Sequence, residues 1–565
     1  MKLCDAYFTK NKILTELFEH RLYIFCGTDS PIRNILPPFP LPKKNGQDEG
    51  MAVCRQMEQA IKREGKAPPV FSFNTGWETD YLADGEQNLL EFWKEAKPPC
   101  ANVGRLFFIL RKIRAGDDAD APKILGAIFR GPFGVGAYAR DLSSWLGSHP
   151  GMKKQPLLDF CWKQLWHSPD PKVVQFSLLI LWRIAKNDEE LFKPIVCFLA
   201  QCAEFTPYCT LYMSQWSDSN QEVFSVAKGT VSWARYCAII VLQPETPEIR
   251  AWLIERAYQD SDMPMNFAYL CAVKGELYQV LKQESISQQA FSGAAALLTR
   301  LVYPDKNYKG LCDISGAAVL VERYTAHAAR MARTLDDCYA LFAAYRSTEI
   351  YTYKNQALCE KVRAQSKAIL QTQRCADIIS KGLAQAERKA FVLANFLEWP
   401  YWDLAMRLIR QDFWKHYHLA DFLLPRNFYV EEIIAIFEKN LPLRKFRLTK
   451  DRKEPVFPRQ KEAIRIFLYI LDKLEEHPGQ GERLLLEGVK SGYYLHRDYA
   501  LWALGKWEEL PKNIKKQLVL AERRYGYDEK DPLRPRLRQL SGREKRPPEE
   551  PAKECTLTLL KNEPH

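Results

Sequence analysis

Between about residues 156 and 443 the apolar positions recur with helical periodicity and show little of the alternation of strands. In "AERKAFVLANFLEWPYWDLAMRLI", Ala390, Leu393, Ala394 and Leu397 share one helix face, and Trp402, Ala405, Leu408 and Ile409 share another. Pro400 lies between the two sets, where one helix stops and the next begins. Alternating runs are few and no Asn-Gly hairpin signal occurs in this span, so the expected class is all-α. Upstream, helices are expected over 10–22, 50–63, 85–95 and 102–115. They flank a connector over 27–50, where Pro31, Pro37, Pro38, Pro40 and Pro42 oppose both helix and central strand. A second glycine-rich stretch, 126–147, follows.

The stretch "SPDPKVVQFSLLILWRIAKNDEELFKPIVCFLA" (168–200) shows how such helices begin and end. Asp170 is placed to cap a helix N-terminus, with Pro171 at the first helical position, where its missing N–H costs nothing. Val174, Leu178, Leu181 and Ala185 form one stripe, which Phe176, Leu179, Ile180 and Trp182 widen over most of the circumference. A helix this apolar is expected to be buried on several sides. Asn187 and Glu190 have capping-box spacing for a second helix, but Pro194 is expected to kink it or to mark a later start.

The same grammar returns twice. "SWARYCAIIVLQPETPEIRAWLIERA" (232–257) gives an apolar helix, a turn, and a helix capped by Thr246 and started by Pro247. "HRDYALWALGKWEELPKNIKKQLVLAERR" (496–524) gives another pair, its second helix opening at Pro511. These units resemble the HEAT and armadillo-type helical repeats: Asp170, Pro171 and Val174 resemble the turn and first helix. Arg497, Ala500, Ala503, Leu504 and Gly505 resemble the arginine, spaced alanines and Leu-Gly of the pattern. The resemblance implies an irregular α-solenoid of stacked antiparallel helix pairs, whose concave surface usually binds another macromolecule. The units follow no fixed period and Gln175 stands where arginine would, so an irregular helical bundle is the alternative.

Composition fits a globular chain: 47% hydrophobic, 27% charged, which excludes wholesale disorder. The net charge of +12 is concentrated late, with 26 Lys/Arg against 16 Asp/Glu over 441–546. Six basic residues fall in ten positions: Arg444, Lys445, Arg447, Lys450, Arg452 and Lys453. This run is the candidate contact for anions or nucleic acid, against the plainer reading of a solvated loop. Trp402, Trp414, Tyr417, Tyr429 and Phe437 precede it and would serve either as stacking residues or as core. From Asp531 onward, six prolines and fourteen charged residues in 35 read as a flexible tail, with "LRPRLR" as a docking segment against the plainer reading of a solubilising tail.

Catalytic signals are weak. "GPFGVGAYAR" (131–140) resembles part of a phosphate loop but lacks a Gly-Lys-Ser/Thr ending, so a loop feeding a helix near Ala137 is expected. His416, His418 and Asp421 are close in sequence, and His418 and Asp421 share a face if helical, without further metal ligands. No GxSxG, HExxH or kinase-like set is present. The fifteen cysteines are scattered without a CxxC, which fits a reducing cytoplasmic compartment better than a disulfide framework. The first residues lack the apolar core of a signal peptide and no run reaches membrane-span length, so the chain reads as soluble.

The expected organisation is a loop-rich helical region over 1–150, HEAT-like repeats over 151–443, a basic helical region over 444–530 and a tail over 531–565. The expected function is non-enzymatic: no cofactor, no metal and no membrane span, with a protein partner held on the helical surface. The alternative is a nucleic-acid-binding repeat protein using the basic C-terminal region, with processing activity as an extension.

Overall fold

The computed structural model describes residues 51–64, 98, 100–129, 134–186, 188–258, 265–302, 309–351, 355–447, 459–525 and 531–543. The helices expected over 10–22 and 85–95, the connector over 27–50 and the Asn187 cap lie outside them. All regular structure among the described residues is helical; the one extended pairing there is an isolated antiparallel bridge between Arg447 and Ser491. The chain divides into two compact units, Met1–Ile378 and Ile379–His565.

The first unit contains α1 (Val53–Glu64), α2 (Cys100–Arg114), α3 (Ala121–Phe129), α4 (Ala139–Gly147), α5 (Gln155–His167) and α6 (Pro171–Ile184). It continues with α7 (Glu189–Leu199), α8 (Thr206–Met213), α9 (Asn220–Gly229), α10 (Ser232–Val241), α11 (Pro247–Glu255) and α12 (Met265–Lys274). Then follow α13 (Leu277–Lys282), α14 (Gln288–Leu301), α15 (Ala317–Met331), α16 (Leu335–Ile350) and α17 (Gln356–Leu370), while α18 (Gln373–Ala384) crosses the division after Ile378.

Packing is local and ordered. Each even-numbered helix from α2 to α16 packs on the next even one, forming one row. On the other side α5 meets α7, and α13, α15 and α17 follow one another. Sequential neighbours such as α5 and α6, or α9 and α10, join the two sides. The row passes through position 150 without interruption, because the glycine-rich stretch over 126–147 is largely helical, in α3, a short 3₁₀ turn and α4.

Two of the expected caps are present. The Asp170 carboxylate accepts from the Lys172 backbone N–H at 2.9 Å, with Pro171 opening α6. Twelve of the fourteen α6 residues are buried, as the wide apolar stripe requires. The Thr246 hydroxyl accepts from Ile249 N–H at 3.2 Å and Pro247 opens α11. Pro194 does not delay α7, which starts at Glu189. Phe192, Ile195, Val196 and Leu199 are buried at helical spacing and hold the turn on both sides of the proline, while Glu190 in the first turn is exposed.

Helix C-termini leave carbonyls without partners, and side chains from neighbouring helices supply donors. The buried Arg235 guanidinium donates to the carbonyls of Ala227, Thr230 and Ala257 at 3.2, 2.8 and 3.1 Å. The Lys274 ammonium donates to Ile239, Ile240 and Leu242 at 2.9, 2.6 and 2.7 Å. Arg374 does the same for Ala329 and Arg330 at the end of α15. A cation at the negative end of a helix dipole adds to the hydrogen bond.

The second unit contains α19 (Arg388–Phe396), α20 (Trp402–Gln411), α21 (Phe413–His416), α22 (Asn427–Asn440) and α23 (Gln460–Lys473). It ends with α24 (Glu482–Val489), α25 (Tyr494–Gly505), α26 (Lys512–Arg524) and α27 (Arg534–Leu540). Alternate helices again pack on one another, α22 on α24 on α26 and α23 on α25 on α27. One core joins residues on both sides of position 443, from Phe391 through Phe446 to Leu537.

α27 corrects the reading of a flexible tail over 531–543; residues 544–565 lie outside the described residues. Leu533 and Leu537, four apart, enter the core. The half-buried arginines that made the segment look solvated are paired. Arg534, Arg538 and Arg543 meet the buried Glu522 carboxylate at 3.1, 2.6 and 2.7 Å, and Arg536 meets Asp498 at 3.3 Å. Arg497 of the repeat-like pattern pairs with Asp531 at 2.7 Å.

Candidate functional site

The basic run starts on a 3₁₀ turn, Leu443–Phe446, directly after α22. The turn divides its side chains by polarity: Leu443 and Phe446 are buried, Arg444 and Lys445 are exposed. Phe446 is fully buried, stacked on Phe467 with ring centres 4.8 Å apart, and edge-on to His496 at 5.4 Å. Its carbonyl accepts from Gly492 N–H at 2.8 Å, which pins the turn to the α24–α25 connection.

Arg447 faces inward. Its guanidinium makes a bidentate pair with Glu487, Nε to Oε2 at 2.5 Å and a terminal nitrogen to Oε1 at 2.6 Å. Lys490 adds a contact to Oε1 at 3.2 Å. Burial opposes the Glu487 charge, but the Arg447 hydrogen bond and Lys490 outweigh it and hold the carboxyl below its ordinary pKa. Arg447 is therefore a structural tie, and Arg444 and Lys445 are the exposed members of the run among the described residues. Lys450, Arg452 and Lys453 lie outside them.

The aromatic residues separate into two groups. Phe437 is core, fully buried and edge-on to Phe413 at 4.9 Å, and Tyr417 packs edge-on against Tyr469 at 5.3 Å. Trp402 and Trp414 each carry a guanidinium over the ring, Arg426 at 4.0 Å and Arg459 at 5.4 Å. Arg459 lies six positions after the end of the basic segment. Neither cation–aromatic pair was legible beforehand, because the partners are 24 and 45 positions apart.

His416, His418 and Asp421 do come together, on α21 and the following 3₁₀ turn Tyr417–Phe422. Asp421 accepts from the Tyr469 hydroxyl at 2.9 Å and meets Arg388 at 2.7 Å and Lys473 at 3.4 Å. A carboxylate engaged by a hydroxyl and two cations is a poor general base. Burial lowers the pKa of both imidazoles, aided at His418 by Arg388 and His416 and at His416 by Lys415. They are neutral at pH 7, and the arrangement serves as a polar tie between the turn, α19 and α23. Among the described residues no three His, Cys, Asp or Glu side chains are grouped to hold a metal.

Elsewhere, Val135, Gly136 and Tyr138 of the glycine-rich fragment are buried in the turn that feeds α4, with no open phosphate cradle among its described residues. A cavity of about 200 Å³ lies at the α8–α11 loops. Among its lining groups, Asn220 donates to the Gln243 carbonyl at 3.0 Å and to Glu245 at 2.9 Å. No helix among the described residues is long and apolar enough to cross a membrane. No family model, curated protein or solved structure matches the chain.

His496, beside the basic turn, gives the second unit a pH dependence. Its Nε2–H donates to the Ile464 carbonyl at 2.9 Å, leaving Nδ1 to accept from the Ser491 hydroxyl at 3.1 Å. Burial pushes its pKa down to about 4, against the opposing Ile464 hydrogen bond. Between the ordinary value and about 4 the unfolded chain binds a proton that the folded chain refuses. Stability is thus fully present above about pH 6.5 and falls with acidification, by about 3 kcal/mol at pH 4. Amide exchange in α25 should be faster at pH 4.5 than at pH 7 after correction for intrinsic rates, and His496→Gln should flatten the difference. Equal corrected rates at both pH values would refute this.

Proposed function

We propose that the chain is a non-enzymatic α-solenoid of the HEAT and armadillo type that holds a protein partner along its helical surface in a reducing, cytoplasmic setting. The supporting observation is the alternate-helix packing, which runs from α2 to α16 in one unit and recurs over α22–α27 in the other. Rows of this kind bury each helix against near neighbours only and present long helix surfaces in place of a single deep pocket. Asp421, the carboxylate of the candidate acid–base group, is engaged by Tyr469 and Arg388.

The test is capture of the tagged chain from its native host after nuclease treatment, followed by reconstitution with purified partner. A stoichiometric protein partner that survives nuclease and salt is the expected result. Association that disappears with nuclease would instead favour the second reading, nucleic-acid binding by the basic C-terminal region. That reading draws on the Arg426–Trp402 and Arg459–Trp414 pairs, since cations beside aromatic faces suit single strands. Its mutational test neutralises Arg444, Lys445, Lys450, Arg452 and Lys453 but spares Arg447, whose loss would strand the buried Glu487.

A further inference from the structure

We propose that the outer face of α2, in the first unit, grips single-stranded nucleic acid. This goes beyond the reading above, whose candidate basic segment lies in the other unit. α2 carries four basic residues and no acidic one in fifteen positions, "CANVGRLFFILRKIR". Its apolar side is committed to the interior: Leu106, Ile109, Leu110 and Ile113 are buried. The opposite side is exposed at Arg105, Phe108 and Arg111, and Phe108 is 57% accessible. Among the described residues, a Cβ placed on Gly104 would meet nothing within 4 Å.

Spacing gives the face its chemistry. At a rise of about 1.5 Å per residue, Phe108 stands about 4.5 Å along the axis from each of Arg105 and Arg111. An aromatic ring thus sits between two guanidiniums on one stripe, with the Lys112 ammonium 5.9 Å from its centre, a base-stacking platform flanked by two phosphate contacts. Among the described residues Arg105, Arg111 and Arg114 meet no carboxylate. Lys112 is matched by Asp117 at 2.9 Å, and Asp118 by Lys163 at 3.8 Å, so the acidic loop after α2 is largely neutralised within the protein.

The occupant follows from charge and from what the face lacks. An anionic membrane would need an apolar face to insert, and α2 has spent its own on the core, leaving one phenyl ring outside. A protein interface would need a contiguous apolar centre, which two arginines around one ring do not provide. A single strand needs only a cationic track with an aromatic face, and stacking tolerates any base.

The test uses the full-length chain and fluorescein-labelled oligo-dT, oligo-U and a duplex, by anisotropy at about 50 and 200 mM salt. The single strands should bind more tightly than the duplex. Phe108→Ala should weaken single-strand binding about tenfold. Arg105→Gln with Arg111→Gln should reduce the slope of log affinity against log salt by about 1.4, two single-strand phosphate contacts. Phe108→Leu keeps bulk without a ring and must show the same loss, which separates stacking from folding; circular dichroism must match the parent. Absence of wild-type binding at low salt would overturn the proposal. So would unchanged binding in these variants, loss confined to the 444–453 neutralisation, or binding to phosphatidylserine vesicles in preference to oligonucleotides.

Discussion

Gly293→Ala is expected to destabilise the first unit by about 2 kcal/mol, whereas Gly104→Ala is expected to stabilise it by about 1 kcal/mol. Both glycines lie inside helices, α14 and α2, where alanine has the better helix propensity by about 1 kcal/mol. The surroundings decide the sign. A Cβ on Gly293 would lie 2.3 Å from the Ile254 carbonyl oxygen, 2.9 Å from its carbonyl carbon and 3.1 Å from the Glu255 Cα. All three atoms are backbone, so no side chain can rotate away. α14 would have to withdraw from α11, and the neighbours α12 and α16 in the same row would feel the shift. Gly104 meets nothing among the described residues, so the propensity gain remains. Equilibrium unfolding in urea measures both; changes of equal sign would show that the close crossing is not a constraint.

Phe446→Ala should cost the second unit about 3–5 kcal/mol, the range for a fully buried aromatic. The residue sits on a four-residue 3₁₀ turn, which has almost no hydrogen-bonded structure of its own and is held in place by packing. Removing the ring takes away the Phe467 stack and the edge contact with His496. Two local effects should accompany the loss of stability. The turn carrying Arg444 and Lys445 should exchange faster, and water reaching His496 should raise its pKa from about 4 toward the ordinary value. An NMR titration of the His496 imidazole reads the second effect directly. An unchanged titration together with an unchanged unfolding midpoint would show that Phe446 is not the anchor.

The legible parts of the sequence were those whose cause is local. Asp170 with Pro171 and Thr246 with Pro247 cap and start helices within three residues of themselves, and the stripes around Pro400 mark two helices with nothing else consulted. What stayed hidden depends on partners far along the chain. The basic run was visible as charge, but that Arg447 turns inward is settled by Glu487, 40 residues later. The 531–543 segment looked solvated because its arginines were counted and Glu522, which accepts three of them, was not. Of the two outcomes Pro194 offered, the later start is overturned, because four buried apolar neighbours keep the helix running from Glu189. The α2 face was hidden as well, since periodicity shows that a helix has a polar side but not that the side is open.

Near-neighbour packing also sets a timetable for synthesis. Most helices of the first unit find their partners within one or two helices of chain, so they can settle while later residues are still being added at the ribosome. α1 is the exception: Val53 N–H donates to the Ser168 carbonyl at 2.9 Å, and the Cys54 thiol donates to the Trp166 carbonyl at 2.9 Å, 112 positions away. The first described helix to emerge must therefore wait for the end of α5 before its Val53 N–H and Cys54 thiol find these partners, and Val53, Cys54 and Met57 form its buried apolar face. During that interval this short apolar face is what a nascent-chain chaperone would meet.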